Sequence, residues 1–286
     1  MEIEKKFREL EKKREGVYMP HIYYGDPNEE FSLELIETLL KSGADMLEFG
    51  IPFSDPIADG PTFIAACDRA LKMGMTPQRC LDGVRKLRDM GIEAPIIMTT
   101  YYNIPYSAGI GNFLSGAAEA GVQGLIIPDM PVEESAEILA AAEPLGLDVI
   151  FQVAPTTGQG RLMEIIGAAS GFLYVVNVEG VTGARESVLQ STLEMIKRVR
   201  RQTDLPLMAG FGVSIAEHAL SMVSGGADGV ITGSAIAKIY ESNLESPEDA
   251  LPEIAKFAAG IKRACIEGLR AREIQEPRIH KPSVIK

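Results

Sequence analysis

The stretch SGADMLEFG, residues 42–50, joins the end of a predicted helix to a short apolar strand and places an acid, Glu48, in that strand. Close variants recur as AGVQGLII at residues 120–127 and GGADGVIT at residues 225–232. Glycine commonly ends a helix, so each variant indicates a helix-to-strand junction. The repetition predicts a chain built from successive β/α units.

Short apolar runs and helical segments alternate along the whole chain. The predicted strands are 18–23, 46–49, 95–100, 125–127, 149–153, 172–176, 207–209 and 230–232. Predicted helices lie between them at 31–41, 76–90, 133–145, 189–202 and 215–224. This alternation indicates an α/β fold with a parallel sheet, and eight units favour a closed (β/α)8 TIM barrel. A doubly wound open sheet stays an alternative, because the pattern does not reveal strand order.

The length and composition predict one barrel domain over residues 1–270. A chain of 286 residues with 46% hydrophobic content is sufficient for the core of one such barrel. An extra charged helix is expected at the N-terminus, from about Ile3 to Arg14. Residues 271–286, with Pro277 and Pro282, are expected to form a flexible C-terminal extension.

Charge and cysteine content narrow the class of partner and compartment. The formal net charge of −12 argues against nucleic acid or an anionic membrane as a partner. The charged N-terminus and the lack of a long apolar run predict no signal peptide and no membrane span. Cys67, Cys80 and Cys265 are too widely spaced for a C-x-x-C pair, which disfavours a disulfide framework or a zinc site and favours a cytoplasmic protein.

The segment after the second predicted strand is the candidate catalytic loop. Barrel enzymes take their catalytic groups from the carboxyl ends of strands, where Glu48 lies, and burial there is expected to raise its pKa. The loop at 50–62 has three prolines and two glycines, which restrict its backbone and hold Asp55 and Asp59 in place. Turn formation by the two aspartates and a structural ion pair for Glu48 are the alternative interpretations.

Glycine-rich turns follow the last three predicted strands, at 180–183, 210–212 and 232–234. Backbone N–H groups can approach a phosphate where no side chain intervenes, and a helix beginning near Ser234 adds its positive end. Each turn alone is more simply explained by the conformational freedom of glycine. Together the three turns predict a phosphate pocket.

These segments carry a resemblance to a known family. Residues 47–62, LEFGIPFSDPIADGPT, closely resemble the signature of the tryptophan synthase alpha chain. Further matches follow the family's order: residues 25–27 (GDP), Tyr101 and Asn103, 128–135 (PDMPVEES), 180–185 (GVTGAR), 210–214 (GFGVS) and 232–239 (TGSAIAKI). The resemblance covers residues 4–269 and leaves the C-terminal extension out.

The resemblance implies an activity and a set of site residues. Members of the family cleave indole-3-glycerol phosphate to indole and glyceraldehyde 3-phosphate by a retro-aldol reaction, without a metal or organic cofactor. The matching positions imply Glu48 as the acid-base group, Asp59 as the carboxylate beside the indole nitrogen and Tyr174 as a positioning residue. The implied phosphate and substrate contacts are His21, Tyr101, Thr182, Gly183, Phe211, Gly212, Gly233 and Ser234.

The resemblance also implies a partner. Alpha chains pair with a pyridoxal-phosphate beta chain, in an alpha2beta2 complex, which receives the indole through a channel. Pro52, Asp55 and Asn103 match the region that contacts this partner. Docking over the barrel mouth would enclose the small apolar product.

Several positions depart from the family pattern. His21, Thr99 and Gln152 stand where the family has apolar residues around the indole, and residues 177–179 (NVE) replace a usual serine-arginine pair. His21 is more simply interpreted as a structural residue, and His218 is expected on a helix away from the mouth. Two alternatives stay open: a related phosphorylated substrate, or a regulator of the beta chain without catalysis, against which the intact acid pair argues.

Overall fold

The strands form a closed parallel barrel in chain order, in a computed structural model that describes residues 1–176, 185–210 and 212–275. They are β1 Val17–Tyr23, β2 Leu47–Gly50, β3 Ile96–Thr99, β4 Gly124–Ile126, β5 Asp148–Val153, β6 Leu173–Val175, β7 Leu207–Gly210 and β8 Gly229–Thr232. The last strand pairs with the first, so that Val17 lies opposite Gly229. This closure confirms the predicted TIM barrel and excludes the open sheet.

Helices surround the barrel and alternate with its strands. Those in the described ranges are α1 Glu2–Lys13, α2 Glu29–Lys41, α3 Pro61–Lys72, α4 Pro77–Asp89, α5 Asn103–Ala108, α6 Ile110–Ala120, α7 Ala136–Ala142, α8 Gln159–Ala168, α9 Arg185–Arg200, α10 Ala216–Ser224, α11 Ser234–Tyr240 and α12 Leu251–Gln275. None of them is long and apolar enough to cross a membrane. The helices that the sequence pattern did not predict include α3, which directly follows the candidate catalytic loop.

Local sequence explains where two of the predicted helices begin. The Asn28 side chain accepts a hydrogen bond from the Phe31 N–H at 2.8 Å and so caps α2. Thr76 caps α4 in the same way, through the Arg79 N–H at 3.2 Å, and Pro77 follows at the first helical position. Such caps satisfy N–H groups that have no partner inside the helix.

The interior of the barrel is closed at the amino ends of its strands. Side chains alternate between the two faces of each strand, so every second residue points inward. Ile3, Phe7 and Leu10 of α1 are buried against the inward side chains, and the rings of Phe7 and Phe172 lie 6.1 Å apart. Because α1 fills this end, the inward groups at the carboxyl ends of the strands remain for a site.

A buried ion pair joins three segments at the carboxyl end. Asp26, which follows β1 and is 1% exposed, accepts hydrogen bonds from Arg69 of α3 at 2.6 and 2.8 Å. It also accepts one from the Tyr240 hydroxyl of α11 at 2.6 Å. A charged pair with three hydrogen bonds holds the loop after β1 against both helices.

The last helix extends further than the sequence predicted. The expected boundary at residue 270 falls inside α12, which continues to Gln275. Arg272 explains the extension, because its guanidinium donates to the Ala227 carbonyl at 2.9 Å and to Asp228 at 3.2 Å. The prediction of a flexible tail from residue 271 is therefore wrong for residues 271–275, which are helical. Residues 276–286 lie outside the described ranges.

Candidate active site

Glu48 points into the barrel from β2 and is 2% exposed. The Thr99 hydroxyl on the neighbouring strand β3 donates to its Oε1 at 2.6 Å, while Oε2 is buried without a hydrogen-bond partner among the described residues. Burial raises the pKa of Glu48 to about 8, against a smaller opposite effect of the Thr99 hydrogen bond. Glu48 is therefore mainly protonated at neutral pH and has a proton to give.

His21, the register partner of Glu48 on β1, is also buried. Its Nδ1 lies 3.4 Å from Glu48 Oε1, and its ring packs against Phe63 with the centroids 4.6 Å apart. Burial lowers the pKa of His21 to about 3. Two neutral groups thus face each other here, and the contact is not an ion pair at neutral pH.

Asp59 lies on the loop after β2 and is held by two tyrosines. The Tyr23 hydroxyl of β1 donates to its Oδ2 at 2.6 Å, and the Tyr101 hydroxyl donates to the same oxygen at 2.7 Å. Burial raises the pKa of Asp59, and the two hydroxyl donors oppose that rise. The Asp59 N–H also closes a local turn by donating to the Pro56 carbonyl at 2.9 Å. Asp59 therefore forms a turn through its backbone and contacts the two tyrosines through its side chain.

The loop itself is fixed by further contacts of Tyr101. Its hydroxyl accepts a hydrogen bond from the Ala58 N–H at 3.1 Å, and its ring stacks on Phe53 with the centroids 5.2 Å apart. Asp55 takes no part in these contacts: it is exposed and accepts from the neighbouring Ser54 hydroxyl at 2.6 Å. Of the two loop aspartates, only Asp59 lies in the site.

Tyr174 points inward from β6, with Gln152 of β5 as its register partner. It is 8% exposed, and burial together with the charges of Glu48 and Asp59 raises its pKa well above the usual value. A side chain at Gly210 would place its Cβ 2.5 Å from the ring of Tyr174. The glycine that ends β7 therefore makes room for a neutral phenol at the mouth.

The predicted phosphate turns are described only in part. Gly212 has a positive φ of 71°, and nothing lies within 4 Å of the position where its Cβ would be. Gly233 precedes α11 and has no space for a side chain, because its Cβ would lie 2.5 Å from Phe63. Ser234 begins α11. Thr182, Gly183 and Phe211 lie outside the described residues.

The structure also places His218 and the predicted partner contacts. His218 lies on α10, as the sequence predicts, but its Nδ1 lies 3.0 Å from the Gly212 carbonyl, so its side chain contacts the turn after β7 and does not lie away from the mouth. Of the predicted partner contacts, Asp55 and Asn103 are exposed, whereas Pro52 is buried within the chain.

Sequence reasoning did not predict the contacts of two further residues at the site, the bond from Tyr23 to Asp59 and the packing of Phe63. The hydroxyl of Tyr23 donates to Asp59. The ring of Phe63 packs against both His21 and Tyr23, with its centroid 5.1 Å from that of Tyr23. An aromatic residue at an inward position near a strand end was the available signal for Tyr23. Phe63 lies on α3, a helix that was not predicted.

A closed β/α barrel whose mouth holds one protonated acid and one hydrogen-bonded carboxylate defines an enzyme that works by acid-base chemistry. Comparison with known proteins identifies the family of enzymes to which the chain belongs. A profile of the family described as tryptophan synthase alpha chain matches residues 7–266. The chain belongs to this family, and its activity is that of a lyase in tryptophan biosynthesis.

Relatives and solved structures agree with this assignment. The tryptophan synthase alpha chain of Methanosarcina barkeri is 45% identical over 92% of this chain and 98% of its own length. That of Methanothermobacter thermautotrophicus is 46% identical over 90% and 96%. The crystal structure of tryptophan synthase subunit alpha from Legionella pneumophila has a TM-score of 0.84 at 34% identity, covering 92% of this chain and 97% of that one.

Proposed function

We propose that Glu48 is the general acid-base group of indole-3-glycerol phosphate cleavage and that Asp59 stabilises the charge that develops on the indole ring. The observation that carries this proposal is the state of Glu48, a buried protonated acid whose Oε2 has no hydrogen-bond partner among the described residues. An acid whose pKa lies near the working pH can both give and take a proton. Tyr101 and Tyr23 keep Asp59 beside it.

The proposed reaction moves one proton in each direction. Glu48 Oε2 gives its proton to C3 of the indole, which forms a C–H bond and leaves positive charge spread to the ring nitrogen. The bond from C3 to the glycerol chain then breaks, and its electron pair restores the aromatic ring. The glycerol hydroxyl loses its proton to the Glu48 carboxylate as the aldehyde forms, so the acid is regenerated.

Asp59 suits the stabilising role because one of its carboxylate oxygens is held by hydrogen bonds and the other is available to the substrate. Oδ2 accepts from both tyrosine hydroxyls, whereas Oδ1 has no hydrogen-bond partner in the described part of the chain. A fixed carboxylate oxygen beside the ring N–H favours the protonated ring over the neutral one. Tyr174, a neutral phenol at the mouth, would pack against the substrate and orient it.

The phosphate of the substrate is proposed to bind at the turns after β7 and β8. The open space at Gly212 and the absence of a side chain at Gly233 leave backbone N–H groups accessible, and Ser234 adds a hydroxyl. These strands are neighbours in the barrel, with Gly210 opposite Ile231. Thr182, Gly183 and Phe211 are proposed for the same pocket from the family resemblance alone.

The decisive experiment measures indole release from indole-3-glycerol phosphate by the wild type, Glu48→Gln and Asp59→Asn in the presence of a beta chain. Each substitution is expected to lower kcat by about a hundredfold or more, the usual effect of losing a general acid or a charge-stabilising group. Asp68→Asn is the matched control, because Asp68 is an exposed acid of α3 that pairs with Lys72. Equal rates for the wild type and Glu48→Gln would reject the assigned mechanism.

The proposed partner is a tryptophan synthase beta chain, in an alpha2beta2 complex. Asp55 and Asn103 are exposed beside the mouth, and two large apolar side chains accompany them: Ile57 is 80% exposed and Tyr106 is 66% exposed. Exposed apolar residues that cluster at a functional face are typical of an interaction surface. A cytoplasmic location is proposed as well, and the three buried free cysteines support it because a reducing compartment keeps thiols free.

A related phosphorylated substrate with a more polar ring is the second candidate. Gln152 is half-buried on the inward face of β5, and its amide has no hydrogen-bond partner among the described residues. His21 Nε2 is likewise buried without one. Turnover of indole-3-glycerol phosphate and of ring-substituted analogues, measured side by side, distinguishes the candidates: a higher kcat/KM for a polar analogue would favour the second.

A further inference from the structure

The imidazole of His21 is packed among aromatic rings at the mouth. Its ring packs against Phe63 and Tyr23, with centroid distances of 4.6 and 5.1 Å. A Cβ at Gly50 would lie 2.9 Å from His21 Nε2, so the absence of a side chain at the end of β2 provides the space for this ring. These contacts surround the ring, and its Nδ1 lies 3.4 Å from Glu48 Oε1.

Two polar groups converge on one oxygen of Glu48. The Thr99 hydroxyl donates to Oε1 at 2.6 Å, and His21 Nδ1 lies 3.4 Å from the same atom. Oε2 is buried and has no hydrogen-bond partner in the described ranges. A carboxylic acid carries its proton on one oxygen only, and the oxygen that accepts from a neighbour is the less favourable place for it. The proton of Glu48 therefore resides on Oε2.

The tautomer of His21 follows from the same contacts. A neutral imidazole has one N–H and one bare nitrogen. With the proton on Nε2, the lone pair of Nδ1 would face an oxygen lone pair of Glu48, and the N–H would have no acceptor among the described residues. With the proton on Nδ1, an N–H faces the oxygen and only a lone pair is left without a partner. The second arrangement has the lower energy.

We propose that His21 is a positioning residue for Glu48: together with Thr99 it makes Oε1 the accepting oxygen and leaves Oε2 as the oxygen that exchanges protons with the substrate. This deepens the role proposed above for Glu48 and rests on it. When the O–H bond at Oε2 breaks and the C–H bond forms at C3, a carboxylate is left in a buried place. The Nδ1–H of His21 and the hydroxyl of Thr99 stabilise that charge until the glycerol hydroxyl returns a proton to Oε2.

The groups that face Glu48 determine which titration an experiment would observe. The negative charge of Asp59, on the loop, raises the pKa of Glu48, and Thr99 on β3 lowers it by its hydrogen bond. Tyr174 on β6 has a pKa well above the usual tyrosine value, and burial lowers the pKa of His21 to about 3. Between pH 6 and pH 9, Glu48 is the member of this group expected to change its charge.

The test compares the pH dependence of kcat/KM in the full-length wild type, His21→Phe and His21→Asn. Phenylalanine keeps a planar ring without nitrogen, whereas asparagine places an N–H close to the position of Nδ1. Loss of the donor disfavours the carboxylate, so His21→Phe is expected to move the alkaline limb upward by about one pH unit and to lower kcat about tenfold, with KM nearly unchanged. His21→Asn is expected to return the limb towards that of the wild type.

An alkaline limb of His21→Phe that coincides with the wild-type limb would overturn the proposal, and so would equal shifts in the phenylalanine and asparagine variants. Thr99→Val removes the other donor to Oε1 and is expected to shift the limb in the same direction, so it provides a second variant if His21→Phe does not fold.

A titration without substrate separates this proposal from the proposed function. The carbon-13 NMR signal of the Glu48 carboxyl carbon can be followed with pH, and it is assigned as the carboxyl signal that is missing from the spectrum of Glu48→Gln. If the wild type releases no indole, the proposed function fails, yet this titration still decides the role of His21. A higher pKa of Glu48 in His21→Phe supports it, and an unchanged pKa rejects it.

Discussion

At the scale of single residues, burial gives Glu48 its chemistry at a cost in stability. The pKa of Glu48 rises from 4.5 to about 8 on burial, so the folded protein holds this proton in a pH range where the unfolded chain loses it. The resulting stabilisation is fully present below pH 4.5 and is lost as the pH rises through 8. A protein with a non-titrating side chain at this position does not have this loss.

Glu48→Gln should therefore be more stable than the wild type at alkaline pH. Relative to the variant, the wild type is expected to lose roughly 4 kcal/mol of unfolding free energy between pH 5 and pH 9, because one pKa unit corresponds to about 1.4 kcal/mol. Urea unfolding of both proteins at several pH values measures this difference. Glu37→Gln is the matched control for the chemical change, because it alters a surface glutamate of α2 that pairs with Lys41. A difference between wild type and Glu48→Gln that is constant with pH would contradict the assigned protonation.

The two tyrosines that hold Asp59 allow a second prediction. Tyr23→Phe and Tyr101→Phe each remove one donor to Oδ2, which should raise the pKa of Asp59 and lower kcat/KM about tenfold, since a charge-assisted hydrogen bond contributes roughly 1.5 to 3 kcal/mol. The acid limb of the pH profile should move upward in both variants. Tyr102→Phe is the matched control, because it removes the hydroxyl of the next tyrosine along the chain, whose ring stacks on Tyr106. A control that loses as much activity as Tyr101→Phe would reject the specific role of the hydrogen bond.

Single residues also show how far sequence reasoning reaches. Glu48 and Asp59 could be found because a strand end and a restrained loop leave a local pattern of apolar residues, prolines and glycines. The hydrogen bond from Tyr23 to Asp59 joins residues 36 positions apart, and the one from Thr99 to Glu48 joins residues 51 positions apart. Such contacts depend on the register and closure of the barrel, which no local pattern contains. Thr99 was recognised as a departure from the family, but its bond to the acid was not predicted.

At the scale of elements, the turn after β7 contains a glycine, Gly212, whose effect on backbone conformation can be distinguished from its effect on ligand binding by comparison with Gly91. Gly212 and Gly91 both have positive φ, 71° and 83°, and neither has an atom within 4 Å of its absent Cβ. Gly91 follows α4, away from the mouth. Alanine at either position should cost about 1 kcal/mol of stability or somewhat more, because the left-handed conformation disfavours a side chain. Only Gly212→Ala should also weaken glycerol phosphate binding, by about tenfold, as measured by calorimetry. Equal affinities in the two variants would remove Gly212 from the phosphate site.

Elements whose ends depend on tertiary contacts were the least predictable. The strands were placed within a residue or two by their apolar runs, and α2 and α4 within two residues by their helical periodicity. The end of α12 was misplaced, because Arg272 extends this helix by bonding to the Ala227 carbonyl, a contact across 45 residues. The predicted tail contains Pro277 and Pro282, and both lie beyond Gln275, the last residue of the helix. Composition therefore did not predict where α12 ends, because the contacts of Arg272 that extend the helix join residues far apart in the sequence.

At the scale of the whole molecule, the two ends of the barrel have different tasks. The amino end is filled by α1, whose Phe7 packs against Phe172. The carboxyl end carries the acid pair and, beside it, the exposed side chains of Ile57 and Tyr106. An apolar product released at this end meets solvent unless a partner covers the mouth. Ile57 and Tyr106, exposed on the loop and the helix beside the acid pair, are consistent with the proposed docking of a beta chain at this face.

This arrangement predicts that docking depends on Ile57 in particular. Ile57→Asp places a charge on the loop that carries Asp59 and should weaken beta-chain binding by tenfold or more, because a charge buried in an interface without a partner is unfavourable. Ile274→Asp makes the same change at a side chain of equal exposure, 81% against 80%, on α12, and should leave the affinity unchanged. Titration of each variant with a beta chain, followed by calorimetry, gives both affinities. Mass photometry of the wild-type complex should find a species with two copies of each chain. If Ile274→Asp weakens binding as much as Ile57→Asp, the docking surface does not lie at the mouth, and the enclosure of indole would need another explanation.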